Sequence, residues 1–402
     1  MKKYRNDFLL ALVTAISFSA FIYLSAYNIT LLLVNSLLGI MALTLFLYIP
    51  KRAVLFAGFL IGLLWFYWIG YSFKYQGVGY MTPIITFSFG VIYLLFFAPL
   101  ALTNKPYIRA IILFCLSFLE PFNWNWMKIE LLFVDSYFGI YKYQLALILL
   151  ALSLPSLVKQ KRYKWLPLIL LLGAIEFHYK QPQPAPLKIK LVQTDVLQER
   201  KWLRSELYPT VAMIFHEIQK AQDEHYDVVV LPESVFPIFM NHHKVLVKKL
   251  QKLSKNITIV AGALYKENEH NYNVTYLFEK GHIQIAKKLI LVPFGEYIPL
   301  PKFAQKFIND TFFSGASDFV TAKKPTDFTI NGIKFRNAIC YEATCDAIYK
   351  GDVKYVIAIS NNAWFAPSIE ATIQRLLMQF YARKYGVIIY HSANYKGSGI
   401  IH

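Results

Sequence analysis

Three residues of reactive type lie beside short apolar runs in the second half of the sequence. Glu233 comes shortly after one run, Lys288 stands just before another, and Cys340 directly follows a third. A cysteine thiolate is a strong nucleophile that can carry an acyl group as a thioester, a carboxylate can shuttle protons, and a fixed cation can stabilise an oxyanion. Singly these signals are unspecific, because a lone cysteine is commonly a buried apolar residue and a glutamate can simply stabilise a helix N-terminus.

The elements around these residues alternate between strands and helices. Strands are predicted at Lys188–Val192, Asp227–Leu231, Ile257–Ala263, Tyr272–Phe278, Lys334–Ile339, Tyr355–Ile359 and Val387–Tyr390. Amphipathic helices are predicted near 203–223, 241–254, 343–350 and 369–385. This alternation favours an α/β domain with buried sheets, in which an active site gathers at the strand ends.

The first 178 residues have a different composition. They hold 14 Lys and Arg and 5 Asp and Glu, against 28 and 19 in the rest of the chain. A helical span of a bilayer needs about 20 apolar residues. We predict about seven spans, at 8–26, 29–49, 53–73, 82–102, 107–121, 144–158 and 164–178. The chain is therefore predicted to comprise a transmembrane domain over 1–178, a proline-rich linker over 179–187, and a water-soluble domain over 188–402.

The basic residues of the loops predict the orientation of these spans. With the N-terminus in the cytoplasm, 11 Lys and Arg fall on the cytoplasmic side and 3 on the other, as the positive-inside rule requires. The first apolar run is predicted to stay as an anchor, and an odd number of spans places the soluble domain outside the cytoplasm. The net charge of +18 then reflects topology and contact with anionic lipid rather than nucleic-acid binding.

The segment 121–143 is dense in aromatic residues, which suit the headgroup level of a membrane. Two interpretations remain open from the sequence: a simple interfacial anchor, or a surface for lipid or substrate.

Taken together, the motifs of the second half carry a resemblance. Pro232-Glu233-Ser234, a lysine shortly before Val292-Pro293-Phe294-Gly295-Glu296-Tyr297, and Ile339-Cys340-Tyr341-Glu342 resemble the nitrilase superfamily and its Glu-Lys-Cys triad. Within that superfamily, these motifs and the multi-span first part resemble the apolipoprotein N-acyltransferase family over essentially the whole chain. The resemblance implies an α+β membrane protein, with a transmembrane helical bundle and a nitrilase-like α-β-β-α sandwich at 188–402.

The resemblance also implies roles for individual residues. Cys340 matches the nucleophile, Glu233 the general base, and Lys288 the cation at the oxyanion. Residues at supporting positions of the family's site are Glu296, Glu342, Tyr341 and Trp202. Substrate-binding positions are expected at Trp364 and, in a mobile arm near the membrane, at Phe303, Phe307, Phe312 and Phe313.

The reaction implied by the resemblance is ping-pong and needs no cofactor or metal. A membrane phospholipid gives an acyl chain to Cys340, and the α-amino group of the diacylglyceryl-cysteine of an apolipoprotein accepts it. The implied setting is a monomer in the bacterial inner membrane, multi-pass, with the catalytic domain facing the periplasm.

The sequence departs from the family pattern in two ways, and three other functions stay open. Family members usually continue beyond the strand near Asn394 to a final transmembrane helix, so the catalytic domain is expected to be shortened at its C-terminus. Leu231 stands where the family often has Trp. The alternatives are a membrane-tethered nitrilase-like amidase, a Cys-His hydrolase using Cys340 and His391, and a non-catalytic scaffold.

Overall fold

Two compact units, Met1–Tyr179 and Lys180–His402, divide the chain. The structure is a computed structural model that describes residues 2–177, 182–293, 296 and 319–402. The predicted residues Phe303, Phe307, Phe312 and Phe313 lie outside the described residues.

The first unit is built of apolar helices. Its α-helices are α1 (Lys2–Ala26), α2 (Leu32–Tyr48), α3 (Lys51–Phe66), α4 (Thr82–Phe97), α5 (Pro106–Leu116), α6 (Lys142–Ser153) and α7 (Leu170–Ala174). Short 3-10 turns extend or connect them, at Tyr67–Gln76, Gly79–Met81, Ala98–Leu102, Pro121–Asn123, Ile129–Phe133, Leu154–Ser156, Lys161–Tyr163 and Leu166–Ile169.

The helices differ in length from the predicted spans. Within residues 2–177, three helical runs are long and apolar enough to cross a membrane: Tyr4–Ala26, Lys51–Tyr75 and Gly79–Leu102. Three others are shorter, at Leu32–Tyr48, Pro106–Leu116 and Lys142–Ser156. The predicted seventh span holds a 3-10 turn, with Pro167 at its start, followed by the five-residue α7. The count of seven spans stays a prediction.

Part of the aromatic segment 121–143 belongs to the core of this unit. Trp124 and Trp126 are buried, and both rings lie against Trp68, at centroid distances of 6.4 and 5.2 Å. Tyr137 and Tyr143 on the same segment are exposed. The two tryptophans therefore serve packing, and an interfacial role stays a prediction for the exposed rings.

The described part of the second unit contains two sheets. One has the order β1-β2-β4-β5-β6 with β3 paired to β4, and the other has the order β11-β10-β9-β8-β7. The strands of the first sheet are β1 (Ile189–Leu191), β2 (Val228–Val230), β3 (Phe236–Phe239), β4 (Thr258–Glu267), β5 (His270–Glu279) and β6 (His282–Lys287). Those of the second are β7 (Asp327–Ile330), β8 (Ile333–Ile339), β9 (Tyr355–Asn361), β10 (Ile388–Asn394) and β11 (Gly399–Ile401).

Helices cover the outer faces of the two sheets. They are α8 (Gln198–Lys201), α9 (Arg204–Asp223), α10 (Lys244–Leu253), α11 (Asp346–Tyr349) and α12 (Glu370–Tyr385). Ile214 of α9 and Leu250 of α10 pack in one core cluster with Val229 and Ile259 of the first sheet. Helix α12 contacts β10 and β11 of the second sheet.

The inner faces of the two sheets share a second core cluster. It joins Val230 and Val260 of the first sheet to Ile339 and Ile357 of the second. Sheets packed face to face with helices outside give the α-β-β-α order, and the predicted fold class is confirmed.

Residues 182–187, which the sequence analysis assigned to the linker, lie against the second sheet. The amide of Ala185 donates to the Tyr390 hydroxyl at 2.9 Å, and the Tyr355 hydroxyl donates to the Gln183 carbonyl at 3.2 Å. The side chain of Ala185 belongs to the cluster between the sheets. This end of the connector is therefore part of the folded second unit.

Candidate active site

Cys340 stands at the end of β8, inside the second sheet. The strand stops there because Cys340 takes a left-handed backbone conformation with φ of 56°, which a non-glycine residue adopts only at some cost. The turn leaves the residue partly buried, and the side-chain amide of Gln374 donates towards its Sγ at 4.0 Å. Burial and the Glu233 carboxylate raise the pKa of the thiol well above its usual value, while Lys288 lowers it. The resting thiol therefore needs a base before it can attack.

Glu233 lies in the turn between β2 and β3 and is 6% exposed. Its Oε1 accepts a hydrogen bond from the Asn273 amide at 2.7 Å and lies 3.7 Å from the Nζ of Lys288. Its backbone carbonyl accepts from the Nζ of Lys201 at 3.0 Å. Asn273 and Lys288 hold the carboxylate and Lys201 holds the backbone of the same residue, so the carboxylate has a fixed direction, as a general base requires.

The backbone of this turn lies directly against Gly262 of β4. A Cβ at position 262 would overlap the Ser234 amide nitrogen and stand 2.7 Å from the Glu233 Cα. Because no side chain fits in that gap, glycine at 262 is what lets the Glu233 turn lie on the sheet.

Lys288 follows β6 and is 1% exposed. Its Nζ lies 2.8 Å from Glu296 and 3.7 Å from Glu233. Burial lowers the pKa of this ammonium, but the two carboxylates and the nearby Cys340 sulfur raise it by more, so it lies above its usual value. Lys288 is therefore a permanent positive charge at neutral pH.

Glu342 and Glu296 hold the loop that carries Lys288. Oε1 of Glu342 accepts from the amides of Leu289 and Ile290, and its Oε2 accepts from the amide of Ile339 at 2.6 Å. Glu342 thus connects the Lys288 loop to the residue before the nucleophile. Burial raises its pKa to about 7, against the effect of Lys288 and of these amides. Glu296 binds Lys288 with Oε1 and the Val292 amide with Oε2, at 2.8 and 2.9 Å.

Lys201 is a second buried cation, which the sequence analysis did not single out. It ends α8 and is 3% exposed, and besides the Glu233 carbonyl its Nζ lies 3.2 Å from the side-chain amide of Asn361. Burial lowers its pKa to about 8, although Glu233 and Cys340 oppose the shift. The only signal in the sequence was its place beside Trp202.

The predicted supporting and substrate-binding residues take different places. Tyr341 is 3% exposed, directly after the nucleophile. Trp202 is 47% exposed. Trp364 is half-buried, with its indole nitrogen 3.2 Å from the same Asn361 amide. The roles of these three residues stay predictions.

His391 does not serve Cys340. Its two ring nitrogens lie 2.8 Å from the Ser360 hydroxyl and 2.8 Å from the Gly397 carbonyl, inside the second sheet. Burial lowers the pKa of the ring to about 4. A histidine occupied on both sides is a packing residue, which removes the observation behind the Cys-His hydrolase alternative.

Comparison with known proteins identifies the family. Residues 5–177 match the apolipoprotein N-acyltransferase integral membrane domain, and residues 188–390 match the carbon-nitrogen hydrolase family. An apolipoprotein N-acyltransferase of Wolinella succinogenes is 40% identical over 98% of this chain and 95% of its own. The chain belongs to the apolipoprotein N-acyltransferase family. The resemblance to this family that the sequence motifs indicated is confirmed.

Two further members of the apolipoprotein N-acyltransferase family show similar likeness. The protein of that name from Helicobacter pylori is 37% identical over 99% of this chain and 95% of its own. That from Campylobacter jejuni is 36% identical over 96% of this chain and 88% of its own. Both of the units described above are therefore shared with acyltransferases of this family.

Proposed function

We propose that this protein moves an acyl chain from a membrane phospholipid to Cys340, and from there to the α-amino group of the diacylglyceryl-cysteine of an apolipoprotein. The observation that carries the proposal is the buried cluster in which Lys288 pairs with Glu233 and Glu296 and is electrostatically coupled to Cys340. Membership of the acyltransferase family supports the same reaction.

The first half-reaction loads the enzyme. The Glu233 carboxylate takes the proton of the Cys340 thiol, and the sulfur attacks the ester carbonyl of the phospholipid. Lys288 stabilises the oxyanion, for which a fixed donor contributes about 3 kcal/mol. The C–O bond then breaks, and the lysophospholipid oxygen leaves with the proton from Glu233. The product is a thioester, which keeps the acyl group activated.

The second half-reaction discharges the thioester. The acceptor nitrogen attacks the thioester carbonyl, the N–C bond forms, and the C–S bond breaks. Glu233 takes a proton from the attacking nitrogen and returns it to the Cys340 sulfur. The amide product leaves and the thiol is regenerated.

The proposed setting is a monomer that crosses the bacterial inner membrane several times, with the second unit on the periplasmic side. The uneven distribution of Lys and Arg between the loops of residues 1–178 supports this orientation. The three long apolar helices support insertion into a bilayer.

The proposal is tested by the fate of the acyl chain. The full-length protein in liposomes is given phospholipid with a labelled acyl chain and a synthetic peptide that begins with diacylglyceryl-cysteine. We expect the label in an amide on the peptide, and none with Cys340→Ala. Label that appears only as free fatty acid would favour the membrane-tethered amidase, and no turnover with a correctly inserted protein would favour the scaffold.

A further inference from the structure

Glu370, the first residue of α12, is a buried acid that the steps above do not use. It is 3% exposed. Gln374, one turn further along the same helix, donates towards the Cys340 sulfur. Residues four apart lie on one face of a helix. Glu370 therefore lies next to Gln374, on the side of α12 that faces the site.

The carboxyl group of Glu370 is incompletely satisfied. Its Oε2 is buried without a hydrogen-bond partner, and none of the ion pairs among the described residues includes it. Burial and the Glu233 carboxylate raise its pKa well above the usual value, and Glu370 in turn raises the pKa of Cys340. Glu370 is thus within electrostatic reach of both the base and the nucleophile.

A buried carboxyl oxygen without a partner is costly unless a ligand supplies a donor. The other acids of the site already have partners. Glu233 and Glu296 pair with the Lys288 ammonium, and Glu342 accepts hydrogen bonds from three backbone amides. The ester portion of a phospholipid offers only oxygen acceptors. The acceptor of the second half-reaction brings a primary ammonium group, whose positive charge lowers the raised pKa of Glu370 and whose three donors complement the resulting carboxylate.

We propose that Glu370 binds the α-ammonium group of the acceptor next to the loaded Cys340, an inference that rests on the proposed function. The acceptor must lose two protons overall. Glu370 takes the first and passes it to solvent, which frees the nitrogen lone pair for attack. Glu233 transfers the second to the sulfur as the C–S bond breaks, so amide, thiol and one released proton balance the step.

The two half-reactions separate this role from a structural one. In Glu370→Gln, thioester formation from phosphatidylglycerol should stay within about threefold of the unmodified protein. Transfer from the preformed thioester to a low concentration of diacylglyceryl-cysteine peptide should fall by more than about tenfold, the size of a lost charged hydrogen bond. Saturating peptide should recover the part of the rate lost through weaker binding, but not the part that depends on proton transfer to Glu370. The exposed Glu269, changed to Gln, is the matched control.

Several outcomes would overturn the inference. Equal transfer by Glu370→Gln and the unmodified protein would do so. A loss of thioester formation from phosphatidylethanolamine but not from phosphatidylglycerol would assign Glu370 to a lipid headgroup instead. An unmodified protein that forms no thioester would overturn the proposed function itself, which this assay detects separately.

A second measurement needs no variant. As inhibitors of the unmodified protein, an acceptor peptide with a dimethylated α-amino group should act at least about tenfold more strongly than one in which hydrogen replaces that group. Equal inhibition by the two peptides would contradict an ammonium site.

Discussion

At the scale of single residues, the site is an arrangement of buried charges around one thiol. Lys288 is held between two carboxylates, and these three groups act together with Glu370 on the charge of Cys340. Because buried charges depend on their partners, removing one changes the others. Loss of the cation would leave both Glu233 and Glu296 uncompensated.

Replacement of this cation is therefore the first prediction. Lys288→Met should lower the rate of thioester formation by about 100-fold or more, because the oxyanion loses its stabilising charge. The adjacent Lys287, which pairs with Glu267 at the surface, provides the control Lys287→Met, expected to be nearly unchanged. The amount of labelled thioester in reactions quenched at short times gives the rate for both variants. An equal loss of rate in the two variants would contradict the role of Lys288.

The titration of Lys201 leads us to expect that the rate of thioester formation depends on pH. With a pKa of about 8, its ammonium is charged at neutral pH and loses its proton above that value. The loss of this charge removes an interaction that favours the Cys340 thiolate. Arginine stays charged over this range. The rate ratio of Lys201→Arg to the unmodified protein should therefore rise as pH increases from 7 to 9. A constant ratio would show that the charge of Lys201 has no part in thioester formation.

The residues found by sequence and by structure differ in kind. Glu233, Lys288 and Cys340 stand in recognisable motifs, so their types and order were enough. Lys201, Asn273 and Gln374 belong to no such motif, because their place at the site depends on which strands and helices meet there. Contacts between residues that are far apart in the sequence produce no local periodicity from which they could be predicted.

At the scale of elements, the predicted strands and the missed ones also differ physically. The predicted strands include β2, β4, β5, β8 and β9, which have long buried runs. Of the four outer strands of the two sheets, β6, β7 and β11 were missed and β1 was predicted, and the missed β3 pairs with one strand only. An outer strand is half solvated and lacks a continuous apolar run, so its sequence resembles a loop.

The contact between β4 and the Glu233 turn gives an element-scale prediction. Gly262→Ala places a methyl group against backbone atoms that cannot move aside, which should destabilise the second unit by about 1–3 kcal/mol and displace the base. Activity should fall even where the protein remains folded. Ala261→Gly on the same strand should destabilise similarly without displacing Glu233, so a comparable activity loss in both would contradict the argument.

At the scale of the whole molecule, each unit has its own buried core and its own means of satisfying polar groups. In the first unit, Arg109 is 1% exposed and donates to five carbonyls, those of Phe46, Leu47, Ile49, Leu100 and Thr103. One side chain thus closes the end of α2 and the turn after α4. In the positive-inside count above, this arginine was one of the 11 basic residues on the cytoplasmic side.

Arg109 is predicted to be essential to the stability of the first unit. Arg109→Met would leave several buried carbonyls without donors, which should cost more than about 2 kcal/mol. Thermal unfolding in detergent should show a lower midpoint, while the exposed Arg52, changed to Met, should have little effect. Equal midpoints for the two variants would contradict this role.

The central claim is that Cys340 carries the acyl chain. Intact-mass measurement of the full-length protein after incubation with phospholipid, without any acceptor, tests it most directly. We predict a mass increase of one acyl chain that hydroxylamine removes and that is absent from Cys340→Ala. An unchanged mass in the correctly inserted protein, or the same increase in Cys340→Ala, would contradict the account.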